Sequence, residues 1–465
     1  MRLHQTLDKV LPWFLLLQPV LDTLTTASRY TLHAPITFGI LIRMFMFVFA
    51  VLFLLTGHNV PTRLRWLLRA YVGLAGGFAL CNLLLNHGLK PVFSWQLELM
   101  YAAKAWYFPI LLLTFFAFTF QVRPGFWPAI RKSLGIAASL TGAVILLGSL
   151  TGTALPSYHH PGKAGVSGWF FSANEVSAVL ALTFPVVLTQ ALEAADRNEL
   201  EHTERRSLSR WLPVWLVCFG LLALGTKTAY LAGVATLFVV PLARLAAWLL
   251  AVRRQPLSPY GLPVRGKSGA WTYGATLMLY LGVTPWAPVA ANVHAHVAWI
   301  HPLVHPGVTG SEPMPPGDDV EHLVYSSRDV YLAQAVQRFI QEPLLQKWLG
   351  AGYAGNFDVH PKLVEMDFHD AWFALGAIGF VIWILPLGVL LGVAIWRQVL
   401  AIRTLPANLP YWLSIALGLA VAGMAGHVLS APAVSIYLAA ILPYLIHRLG
   451  RTEVGQPGLE RPAES

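Results

Sequence analysis

Four polar side chains, Glu365, Asp367, His369 and Asp370, stand just ahead of Gly376-Ala377-Ile378-Gly379, where a long apolar run begins. If the stretch is helical, Glu365 and His369 share a face at i, i+4 and Asp367 points roughly away. Upstream, Arg328 opens a segment that reads as an amphipathic helix, and Leu349-Gly350-Ala351-Gly352-Tyr353 reads as a tight glycine turn. Acids and an imidazole beside a cation at a membrane surface suit proton removal from a hydroxyl next to a lipid-linked phosphate. The plainer alternative is a polar collar on a helix end.

Other ionisable residues fall inside or at the ends of apolar runs, where each costs several kcal/mol near mid-bilayer on some scales and so marks a candidate. Asp22 and Arg43 are expected to pair between the first two spans. Lys104 is read as snorkelling from a span end. Glu175, after Asn174, lies where it favours a helix N-terminal dipole. Lys227 interrupts two apolar runs in Gly225-Thr226-Lys227-Thr228. A lysine in that hairpin either binds an anionic headgroup or is a solvated turn residue. His294, His296, His301 and His305 match no zinc spacing, so no metal is expected. Cys81 and Cys218 both sit in apolar runs and read as buried apolar residues.

These groups need a scaffold, and the composition specifies it. Of 465 residues, 56% are hydrophobic and 12% charged, against about 25% charged in a soluble domain. The apolar residues come in runs such as 38–55, 110–120 and 378–395, and a span needs roughly 20 of them. The alternation of a transmembrane barrel is not seen. The expectation is an all-α polytopic transmembrane helix bundle of about 12 spans, at roughly 10–27, 34–56, 66–86, 101–120, 130–152, 170–192, 211–225, 228–250, 270–287, 368–396, 410–428 and 431–447. The first is expected to stay in place and not to be a cleaved signal.

Orientation follows from the basic residues, which are retained on the cytoplasmic side. With the N-terminus inside, 22 of the 32 Lys and Arg face the cytoplasm and eight face outward. Both termini are then cytoplasmic. The net charge of +10 is a topology signal spread over seven segments, explained by anionic lipids; no nucleic-acid partner is expected, since that needs one basic face. The organisation reads as spans one to nine over 1–287, a large outer loop over 288–367, spans ten to twelve over 368–448, and a cytoplasmic, disordered tail over 449–465. The loop's second half, 326–342, is expected to be helical, with Val330, Leu332, Val336, Phe339 and Ile340 as its apolar face. Long loops of this kind are usually functional.

At these residues the chain resembles the O-antigen ligase and polymerase family, which assembles bacterial surface polysaccharides. Ser172-Ala173-Asn174-Glu175 is similar to the family's Pro-Asn element at a span start. Thr226-Lys227-Thr228 sits where Ser-Arg is usual. Arg328 through Gly352, with Glu342-Pro343-Leu344 and Leu349-Gly350-Ala351-Gly352, resembles its pattern of Arg, helix, Pro-Leu and Gly-x-Gly. The run ending in Gly376-Ala377-Ile378-Gly379 resembles a His-Asn stretch followed by Gly-x-x-Gly. Two departures stand out. Lysine at 227 keeps the charge but loses the bidentate fork for phosphate. Glu365 occupies the family histidine's place relative to Gly376, and His369 comes one turn later.

The resemblance implies a metal-independent, cofactor-free inverting glycosyl transfer at the outer leaflet of the bacterial cytoplasmic membrane. The donor would be a polyprenyl-pyrophosphate-linked glycan and the acceptor a hydroxyl on a lipid or glycan, with membrane lipids around the tail. Arg328, Lys227 and Asn174 would bind the pyrophosphate. Glu365 or His369, with Asp367 nearby, would handle the acceptor proton. Two other readings stay open: a transporter or lipid-linked glycan flippase, which would line a path at mid-bilayer, and a non-catalytic scaffold of envelope assembly.

Overall fold

The computed structural model describes residues 2–33, 37–57, 60–120, 125–158, 163–200, 207–252, 267–293, 328–357, 362–424 and 426–453. Its helices begin with α1 (Arg2–Leu16), α2 (Gln18–Leu32), α3 (Phe38–Thr56), α4 (Thr62–Leu89) and α5 (Trp95–Ala117). Then come α6 (Phe126–Leu150), α7 (Ala173–Leu200), α8 (Ser207–Ala223), α9 (Lys227–Val252) and α10 (Lys267–Val283). The last five are α11 (Arg328–Gln341), α12 (Leu344–Leu349), α13 (Asp367–Leu400), α14 (Leu405–Met424) and α15 (Pro432–Glu453). Among the described residues there is no β-strand, only an isolated bridge between Pro156 and Val166. The all-α polytopic bundle is therefore what the chain forms.

Among the described residues, nine helices are long and apolar enough to cross a membrane. The expected first span, 10–27, is broken: α1 and α2 meet at a 62° bend and make a tenth only if counted together. The break follows from Pro19 in the first turn of α2, which suits a helix start and not an interior. Helices α8 and α10 have 17 residues each, or about 26 Å at the usual rise, so twelve is reached only if both also cross. The expected loop helix is present as α11; of the expected tail, residues 449–453 continue α15 as helix, and 454–465 and the four loop histidines lie outside the described residues.

Burial separates central from peripheral helices. In their most apolar stretches α15 is 83% buried inside the protein and α7 78%, whereas α3, α4 and α9 are each 33% buried and turn most of their surface to lipid. Tails of lipid are as apolar as leucine, so close packing and interhelical hydrogen bonds must hold such a bundle. Both are present. A Cβ at Gly142 of α6 would strike the Leu216 carbonyl of α8, and Trp383 Nε1 donates to the Ala105 carbonyl at 2.8 Å.

The two ends of the bundle differ. One carries Arg131 paired with Glu193 at 2.5 Å, Arg244 paired with Asp196, and Arg448 donating to Asn408 at 3.1 Å. The other carries α11, α12 and the starts of α7, α9 and α13. This second end, called the loop end below, holds the residues singled out above.

Candidate functional site

A glycine break in α13 fixes the geometry of the loop end. Gly376 has φ 65° and ψ −177° inside the helix, a conformation essentially confined to glycine. The interruption leaves the Phe373 and Ala374 carbonyls to accept from Ala351 N and Gly352 N, both at 3.0 Å. A Cβ on either Gly350 or Gly376 would run into the other strand of this contact. Buried amides complete the joint: Asn82 Nδ2 donates to the Leu349 carbonyl at 2.5 Å, and Asn86 Nδ2 to the Gly350 carbonyl at 3.1 Å. Lys90 and Glu98 pair at 2.5 Å with both side chains buried, and Lys90 also donates to the Tyr353 carbonyl at 2.8 Å. Burial pulls the Lys90 ammonium below its ordinary pKa against the opposing pull of Glu98.

Just ahead of α13 the chain turns sharply around Asp370. Its buried carboxylate accepts from Val364 N at 2.8 Å, Glu365 N at 3.0 Å and Met366 N at 3.1 Å. Collecting three successive amides folds residues 364–366 tightly and places Glu365 at φ 65°. Glu365 therefore precedes the helix, and the expected i, i+4 relation with His369 does not hold. Its carboxylate instead accepts from Arg328 Nη2 at 3.0 Å. Phe339 against Phe373, ring centroids 5.3 Å apart, and Lys362 over Tyr331 at 4.2 Å hold α11, and so Arg328, in place.

Asp367 faces the connection between α14 and α15. Its Oδ2 accepts from Val428 N at 2.6 Å and Leu429 N at 2.7 Å, and its Oδ1 from Ser430 N at 3.2 Å and Ser430 Oγ at 2.5 Å. His427 Nδ1 lies 3.6 Å from Oδ1. Burial works against the imidazolium, but Asp367, with Asp370 and Glu175 behind it, outweighs this and holds the ring up at about 8.

The cations on the far side complete a circuit. Gly225, at φ 69°, passes the chain into Thr226, whose hydroxyl meets Ser177 of α7 at 2.8 Å and caps α9 at Ala229 N. Lys227 follows, half-buried and within electrostatic reach of Lys163. Lys163 lies 5.3 Å over the Tyr158 ring, and Tyr158 is within reach of Arg328; burial raises its phenol pKa and Arg328 opposes the rise. In the other direction α7 brings Asn174 against Gly426 and Glu175 within reach of His427. Lys227, Asn174, His427, Asp367, Glu365, Arg328 and Lys163 are thus linked, by pairwise contacts, charge interactions and chain neighbours, into a ring of residues at the loop end.

Sequence reasoning and structure meet unevenly here. Arg328 and Glu365 touch, and Asn174 and Lys227 lie on the same ring. Asp367 has its oxygens occupied by 428–430. His369 sits on α13 half-buried, and its buried Nδ1 has no hydrogen-bond partner among the described residues. Asp22 and Arg43 pair as expected, at 2.5 Å. Lys104, expected to snorkel, instead stands within reach of Glu175 and Arg29. His427, Tyr158, Lys163 and the asparagines 82 and 86 were missed. The asparagines carried a signal, since amides four residues apart in an apolar helix share one face. His427 carried none, because its partner is sixty residues away.

The chain matches the family model of O-antigen ligase like membrane proteins over residues 4–302 and 316–452. A search of curated proteins finds no match. The match takes in nearly the whole bundle and every residue of the ring, and the chain belongs to the O-antigen ligase-like membrane protein family.

Proposed function

We propose that the protein is a glycosyltransferase that moves a polyprenyl-pyrophosphate-linked glycan onto a hydroxyl acceptor at the outer leaflet of the bacterial cytoplasmic membrane, with both termini inside. The observation that supports it is the Arg328–Glu365 contact on a ring that also carries Lys227 and Lys163. The acceptor oxygen attacks the anomeric carbon, the bond from that carbon to the pyrophosphate oxygen breaks, and the configuration inverts. The lipid pyrophosphate departs as an anion, which Arg328 and Lys227 stabilise. The acceptor proton passes to Glu365. Because Arg328 and Glu365 hold each other in the resting state, pyrophosphate binding to the guanidinium also releases the carboxylate as a base. Asp367 acts as a positioning residue.

These protein cations supply the positive charge that a divalent metal supplies in other transferases, so transfer needs no added metal. The test is transfer by purified full-length protein in detergent, using a lipid-linked glycan donor and a lipid acceptor. Product formation that survives chelation and disappears in Arg328→Ala is expected. Absence of product from the wild type with every lipid-linked donor would overturn the reading.

A further inference from the structure

We propose that His427 is a further phosphate-binding residue of this site, held by Asp367 and Ser430 and donating from Nε2 to the donor's pyrophosphate on the Asn174 side of the ring. This rests on the glycosyl-transfer reading above. The hydrogen-bond directions carry the argument. Ser430 Oγ lies 2.5 Å from Asp367 Oδ1, and a carboxylate oxygen only accepts, so the hydroxyl proton points there. The hydroxyl is then left to accept from His427 Nδ1, 3.0 Å away. The Nδ1 position is therefore protonated in either charge state, and Nε2 is the nitrogen that titrates and can address a ligand.

Asp367 is anchored by the amides of 428–430 and completely buried, whereas the His427 side chain is 27% exposed. That combination is a fixed carboxylate behind an accessible imidazole, which orients the ring and favours its charged form. The charged groups facing His427 are Asp367 and Asp370 on α13 and Glu175 on α7. Lys104 of α5 lies behind Glu175. Three acids facing one imidazole keep it an imidazolium near neutral pH. Asn174 adjoins the same segment through Gly426. In this proposal His427 adds a cation to Arg328 and Lys163 of the same ring, and the pyrophosphate binds among them.

The experiment is equilibrium binding of a sugar-bearing polyprenyl pyrophosphate diester to the full-length protein in nanodiscs, from about pH 6.5 to about pH 9. Such a diester has no ionisation of its own in that range. Wild-type affinity should hold on the acid side and fall about tenfold as the imidazolium is lost, the size expected for one charge-assisted hydrogen bond. His427→Gln keeps a donor but not the charge, and should bind about tenfold more weakly at neutral pH with no remaining fall. Wild-type binding by His427→Gln, or an unchanged pH profile, would overturn the proposal and give the fall to another group. Should that variant not fold, Ser430→Ala must move the midpoint of the pH profile; an unmoved midpoint overturns the proposal equally. Failure of the wild type to bind the diester at any pH overturns the functional reading itself, a result distinct from an inert His427.

Discussion

Arg328 Nη2 stands 3.0 Å from Glu365 Oε2, with the arginine side chain 13% exposed and the glutamate 42%. The two members of the pair are therefore unequal. A half-exposed ion pair contributes only about 0–1 kcal/mol, so a phosphate with two or more charges can displace the carboxylate at little cost. The guanidinium, held within α11, stays where it is. The contact reads as a resting-state latch that the donor opens.

Removing the cation tests this most directly. Arg328→Ala should lower transfer by about 10²–10³-fold, the usual loss for a preorganised group facing developing charge, while protein abundance stays normal. Arg328→Lys should recover only part of it, since the ammonium lacks the fork. Lys227→Arg should be tolerated and Lys227→Ala should not. Normal product from Arg328→Ala would remove the clamp role.

The Gly376 break should be intolerant of any side chain. At φ 65° and ψ −177° an alanine is strained by about 1–3 kcal/mol, and its Cβ would also strike the Gly350 backbone. Gly376→Ala is expected to lower the thermal midpoint in detergent and to reduce transfer, because the hairpin that presents Arg328 rests on this joint. A midpoint equal to the wild type would mean that α13 can run straight through.

Glu342 gives the loop end a pH dependence. Burial pushes its carboxyl up to about 7, opposed by an amide of Asn356 and by Lys90 and Lys347. An acid whose pKa is raised by folding is harmless below its unfolded value, near 4.5, and destabilises progressively as pH rises to about 7. Glu342→Gln should therefore raise the thermal midpoint at about pH 8 and leave it unchanged at about pH 4. The reverse order would show that Lys90 dominates the carboxylate.

Orientation can be read by labelling. Cysteines at Pro315 and Lys362 should react with an impermeant thiol reagent in whole cells, and cysteines at Ser207 and Ser268 should not. Reaction of the second pair in intact cells would invert the topology and move the proposed chemistry to the cytoplasm.

The bundle was legible because hydrocarbon-length apolar runs and basic flanks are properties of contiguous sequence. Gly350 and Gly352 were legible as a turn and Gly376 as the glycine that opens an apolar run, though not as the two halves of one joint. What escaped was set by contacts between distant segments. Asp367 looked like one of three equivalent acids, yet its oxygens belong to residues 428–430, some sixty positions later. Asp370 looked like part of a collar, yet it gathers the three amides that put Glu365 outside the helix. Spacing arguments assume regular structure, and that turn is where regularity stops.

The choice of base separates on the same turn. An acceptor hydroxyl must lose its proton as it attacks, and a base within hydrogen-bond reach typically contributes about 10²–10⁴-fold. His369 has the more suitable chemistry, but it lies on α13 half-buried, with Nδ1 enclosed and unsatisfied. The Glu365 side chain is 42% exposed and stands beside the guanidinium proposed to hold the leaving group, which favours it as the base in the proposed transfer. In transfer assays with purified protein, Glu365→Gln should lose far more activity than His369→Gln. Glu365→Asp should retain part of it, since the shorter carboxylate keeps the chemistry but retreats from Arg328. Activity lost only in His369→Gln would place the base one turn into α13 and leave Glu365 as a structural partner of Arg328. If both glutamine variants remain active, neither group takes the proton, and the catalytic reading of this segment falls.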